Sequence, residues 1–110
     1  MSVVRISKAS FQSEDLARMQ VLWDESQATL VPEIENLQGC LHYWAGIDPV
    51  SSTMVNVSVW ETLADAKQMQ TLAPMRTLAE EFTKLGVVFV RVASALPNRP
   101  ICNYETLWKI

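Results

Sequence analysis

The sequence predicts an α+β domain of the ferredoxin-like class: a four-stranded antiparallel sheet, built strand–helix–strand–strand–helix–strand, with its helices on one face. Two observations lead there. Four short runs rich in β-branched and aromatic residues, at 2–11, 40–47, 54–60 and 87–96, alternate with longer stretches of helical periodicity. Residues that favour turns and helix ends separate them: Gly39, Asp48-Pro49 followed by Ser51 and Ser52, and Gly86. With 110 residues the chain can bury one core but not two.

Each element has its own reason. "SVVRISKASF" (2–11) opens with β-branched residues and reads as the first strand. Ser13 is a candidate N-cap, with Glu14 and Asp15 in the first turn where the helix dipole favours acids. Leu16, Met19, Leu22, Trp23, Ser26 and Leu30 fall near a 3.6 period, which predicts a helix over 14–31. Pro32 ends it or opens a short new turn, "PEIENL", closed by Gly39. "CLHYWAGI" (40–47) and "MVNVSVW" (54–60) form a hairpin around the turn "DPVSST". Thr62 and Asp65 resemble a capping box with the shorter acid. The helix they start carries Leu63, Ala66, Met69 and Leu72 on one face, and Pro74 restarts it. Met75, Leu78, Ala79, Phe82 and Leu85 then make a clean apolar stripe up to Gly86, the expected C′ residue. "VVFVRVASAL" (87–96) is the fourth strand.

Strands three and four carry apolar residues on both parities, so the sheet face opposite the helices is expected to be dry as well. Val55, Val57 and Val59 need a cover that the chain does not supply. A second copy is the economical one, giving a homodimer in which two sheets pack into an α/β barrel. Residues 1–96 are the barrel domain. The tail 97–110, with Tyr104, Leu107, Trp108 and Ile110, is expected to pack on its own helices or on the partner.

Composition narrows the function. An apolar content of 49% against 19% charged describes a globular chain and agrees with apolar surface buried between copies. Net charge is −3 and the nine Lys and Arg residues are scattered, so no cationic patch exists for nucleic acid. No apolar run approaches the roughly 20 residues that span a bilayer, and no signal-peptide pattern opens the chain; no membrane partner and a cytoplasmic location are expected. Cys40 and Cys102 lack metal-ligand spacing and read as reduced thiols. A single His excludes a multi-His metal site, and no cofactor is expected.

The stretch "QGCLHYWAGIDP…VNVSVWETLADAKQM" resembles the antibiotic biosynthesis monooxygenase superfamily, small dimeric α/β barrels that include cofactor-free quinone-forming oxygenases and haem-degrading enzymes. The shared features are a Gly and a small residue entering strand two, a Trp closing strand three, and "W-E-T-x-x-D-A" leading into the next helix. The resemblance covers about residues 1–96. It implies that Asn56 and Trp60, four residues apart on strand three, project into a substrate pocket. The haem-degrading branch carries an axial His about ten residues after this Trp. Here Met69, Gln70 and Thr71 occupy that region, a departure that argues against haem ligation by the usual route.

Strand three carries Met54, Asn56, Ser58 and Trp60 on one parity and the valines on the other. The implied chemistry is oxidation of a small aromatic or polyketide-like compound by dioxygen without a cofactor. The substrate anion supplies the electron that triplet dioxygen needs, and a dry pocket stabilises that anion. Asn56 would donate to the oxyanion, Trp60 would stack on the ring, and Ser58 would be a further polar contact; a cross-strand polar set with Trp60 in the core is the competing reading. His42 is the natural base by pKa. Whether His42 and Trp44 or Tyr43 face the pocket depends on hairpin register. Trp23, Met69 and Phe82, with Met19 and Met75, suit either the core or a pocket for bulky aromatics. Arg5 and Arg91 interrupt apolar strands, and each needs a neighbouring carboxylate or an acidic substrate. A non-enzymatic dimer that binds a hydrophobic metabolite, and a cyclase or isomerase of the same fold, are the alternatives.

Overall fold

Period-two burial starts the sheet. β1 (Val3–Ser10) buries Val3, Arg5, Ser7 and Ala9 under the helices and turns Val4, Ile6 and Lys8 to the other face. The structure, a computed structural model, describes residues 2–89 and 101–105. The expected strand residues 90–96, Arg91 and the apolar side chains of the tail lie outside the described residues.

A 3₁₀ turn at Ser13–Asp15 follows β1, and the Asp15 N–H donates to the Gln12 carbonyl at 2.9 Å. Ser13 is therefore part of a tight turn and not the helix cap. α1 (Leu16–Glu35) runs straight through Pro32. The expected stop fails because Ile34, fully buried, ties the last turn to the core, and the Asn36 N–H closes on the Pro32 carbonyl. Met19, Leu30 and Ile34 make the buried line of this helix.

β2 (Cys40–Asp48) and β3 (Thr53–Trp60) form the predicted hairpin. Asp48 accepts from the Val50 N–H at 2.9 Å and from the Ser51 hydroxyl at 2.6 Å, which closes the turn. These bonds, Ser51 first, hold the Asp48 carboxyl below its ordinary pKa. Gly39, at φ +74°, leads into β2, and any Cβ there would collide with the Asp65 side chain. Thr62 caps α2 (Leu63–Ala66) by accepting the Asp65 N–H at 3.1 Å, as its spacing predicts. α3 (Gln68–Thr71) and α4 (Ala73–Lys84) complete the second helical layer. α4 ends in a Schellman arrangement: Gly86 is at φ +85° and the Val87 N–H returns to the Phe82 carbonyl at 3.0 Å.

The sheet order is β2-β3-β1-β4, the ferredoxin-like order, with β4 described at Val88–Phe89. A fifth strand, β5 (Ile101–Glu105), was not expected. It pairs antiparallel with β1 of its own chain, from Val3 opposite Glu105 to Ser7 opposite Ile101. β4 holds the same edge of β1 one step further on, at Ala9 and Ser10. Among the described residues no helix is long and apolar enough to cross a membrane.

Candidate functional site

A cavity of about 220 Å³ lies between the sheet and the helices α1 and α4. Its walls are mainly apolar, with Trp23 and Leu30 from α1 and Leu78 and Phe82 from α4. The Trp23 and Phe82 rings sit 5.8 Å apart, tilted by 31°. Its polar side comes from Arg5 and Ser7 on β1, Tyr43 on β2, Asn56 on β3 and Gln27 on α1.

The hairpin register decides which residues reach this space. Cys40 lies opposite Trp60, but His42 lies opposite Val59, so two residues of β2 advance against one of β3. This bulge reverses the parity of the rest of β2. Tyr43, opposite Ser58, and Ala45, opposite Asn56, turn to the helices. His42 and Trp44 turn to the valine face, where their rings stack with centroids 5.3 Å apart. His42 is therefore no base for this pocket, and Trp44 is no wall of it.

Asn56, Tyr43, Trp23 and Phe82 line the cavity as the sequence suggested. Trp60 and Ser58 share parity with Asn56 but lie beyond the cavity. Both are fully buried, and the Trp60 indole N–H donates to Ser58 Oγ at 2.8 Å. They are a self-satisfied core pair, not a stacking platform. Met69 is likewise in the core. Arg91 lies outside the described residues.

Two residues gain importance. Arg5 is 3% exposed, and its Nη1 donates to Asn56 Oδ1 at a long 3.5 Å. Burial drags its pKa to about 10, partly offset by the Tyr43 phenol nearby. It stays charged at neutral pH, and among the described residues no carboxylate pairs with it. Gln27 accepts the Tyr43 hydroxyl through Oε1 at 3.1 Å. Burial raises the Tyr43 pKa, outweighing the opposing effects of Gln27 and Arg5, so the phenol keeps its proton. The signal for Gln27 was present in sequence: it lies four residues after Trp23 and three before Leu30, a lone amide on an apolar helix face. Ser26, which fitted the stripe equally well, spends its hydroxyl on the Trp23 carbonyl at 2.7 Å. Among the described residues no three His, Cys, Asp or Glu side chains converge as a metal site would need.

No protein-family model matches the chain, and no curated protein matches it in sequence. Solved structures do match. Rv0793 from Mycobacterium tuberculosis aligns with a TM-score of 0.69 at 11% identity, over 99% of this chain and 98% of that one. A Deinococcus radiodurans protein provisionally named an antibiotic biosynthesis monooxygenase aligns at 0.63 with 18% identity, over 100% and 96% of the two chains. A Nitrosomonas europaea protein with the same provisional name aligns at 0.65 with 13% identity, over 97% and 91%. Identities this low speak to architecture and not to reaction. The chain thus has the ferredoxin-like α+β fold of proteins that carry the antibiotic biosynthesis monooxygenase name, the fold its own sequence predicts.

Proposed function

We propose that the chain is a cofactor-independent oxygenase that takes a small aromatic or polyketide-like compound into the cavity between sheet and helices. The observation that carries this reading is the apolar cavity with Arg5 and Asn56 side by side on its floor. A substrate phenol or enol bound there meets a fixed positive charge, which favours its anion without a general base. That matters because His42 faces away. Asn56, with Oδ1 turned to Arg5, has its N–H₂ left for the developing oxyanion, a contribution of about 3 kcal/mol in the transition state. The anion passes an electron to dioxygen, one oxygen atom enters the ring carbon, and the other leaves as water. The aromatic walls keep bulk water from the reactive intermediate.

Anthrone tests this directly. The metal-free protein should consume one dioxygen per anthrone converted to anthraquinone, and Asn56→Ala should slow that uptake by roughly 100-fold. Uptake no faster than in buffer overturns the oxygenase.

The reading includes a homodimer. Val55, Val57 and Val59 are only half-buried, and Trp44, on the same face, is 56% exposed. Leaving such a face in water is costly, and an identical face is its natural complement. Light scattering at micromolar concentration should give twice the 12.4 kDa of one chain. A mass of one chain contradicts it.

A further inference from the structure

Among the described residues two buried hydrogen-bond donors have no acceptor, and both belong to the same cavity. They are Nε of Arg5 and Nε2 of Gln27. Two acceptors of the same wall already take part in hydrogen bonds. Gln27 Oε1 accepts from Tyr43, and Asn56 Oδ1 accepts from Arg5 Nη1. Among the described residues around the cavity there is no Asp or Glu. The wall thus offers these N–H groups and one full positive charge, with the Ser7 and Tyr43 hydroxyls as its other polar groups. Buried polar groups are rarely left unpaired without a reason, and a bound molecule is the simplest one.

The complement of such a wall accepts several hydrogen bonds and carries a negative charge. A carboxylate does both: it has two oxygens, no donor, and a spacing that matches one edge of a planar guanidinium. With Nη1 engaged by Asn56, the edge that holds Nε is the free one. We propose that the cavity selects aromatic carboxylates, with the carboxylate on Arg5 and Gln27 and the ring against Trp23 and Phe82. This rests on reading the cavity as the ligand site and adds the ionic class of the ligand.

The probes are 2-naphthoate and 2-naphthamide, equal in shape and different in charge, titrated calorimetrically into the full chain at pH 7. Naphthoate should bind about 10- to 100-fold more tightly, the range expected for hydrogen bonds to a charged partner. Arg5→Met should bring naphthoate down to the affinity that the same variant shows for the amide. Gln27→Glu places a carboxylate of the protein's own in the cavity that Arg5 lines and should also abolish the preference. Equal affinities for the two probes in the unmodified chain overturn the carboxylate selection and leave the oxygenase reading intact. Failure of both probes to bind overturns both readings. A naphthoate preference found together with anthrone uptake no faster than in buffer keeps the carboxylate site and removes the oxidation.

Discussion

Trp60→Ala should lower the free energy of unfolding by roughly 3–5 kcal/mol, the usual cost of emptying a large aromatic site in a closed core. Trp60 is the largest of the fully buried side chains, and it closes β3 beneath α2, well away from the cavity floor. Trp60→Phe removes less volume but deprives Ser58 Oγ of the donor it has among the described residues, at a cost of about 1–3 kcal/mol. Urea unfolding of both variants measures this. Naphthoate affinity, measured below the unfolding midpoint, should stay within a factor of about two, because neither Trp60 nor Ser58 lines the cavity. Intact stability with lost binding would return Trp60 to the role of stacking platform.

Arg5→Met should act in the opposite direction on stability. Arg5 holds a full charge in an apolar site with one long hydrogen bond, and its pKa falls to about 10 as a result. A pKa lowered on folding means that charge costs the folded state stability, here on the order of 3 kcal/mol. Met keeps much of the volume without the charge, so the free protein should gain about 1–3 kcal/mol. The sign with pH follows. The cost is full below about pH 10, where Arg5 is protonated in both states. Above that the folded state releases its proton first, so the unmodified chain gains stability and the gap to the variant narrows. Denaturant unfolding at pH 7 and pH 10.5 reads both effects. A variant less stable than the parent at pH 7 would mean that Arg5 is a structural strut and not a charge held ready for a ligand.

Much of this was legible in local patterns. The Thr62 cap, the Gly86 helix end and the alternation in β3 depend on residues a few positions apart, and each formed as its spacing dictates. Asn56 reached the cavity because parity along one strand is a local property. The choice of Tyr43 over His42 was not legible, since one bulge at Cys40–His42 exchanges the two sets and no sequence signal marks it. Trp60 misled for a related reason. Parity places it on the correct face, but its distance along β3 sets it under a helix and not in the hollow. The run through Pro32 depended on Ile34 finding the core, a tertiary effect that outweighs the local proline signal. The fourth-strand residues beyond Phe89 and Arg91 stay outside the described region.

The pairing of Val3 with Glu105 has a consequence for how the molecule comes into being. During synthesis β1 is made before its partners, and one of its edges waits for β3 while the other waits for β5, far along the chain. Until then an eight-residue ribbon with open backbone groups must be kept from pairing with its neighbours on the polysome. The sheet can therefore close only once Glu105 has been made, and contacts that span so much of the chain make that closure slow compared with the helices around it.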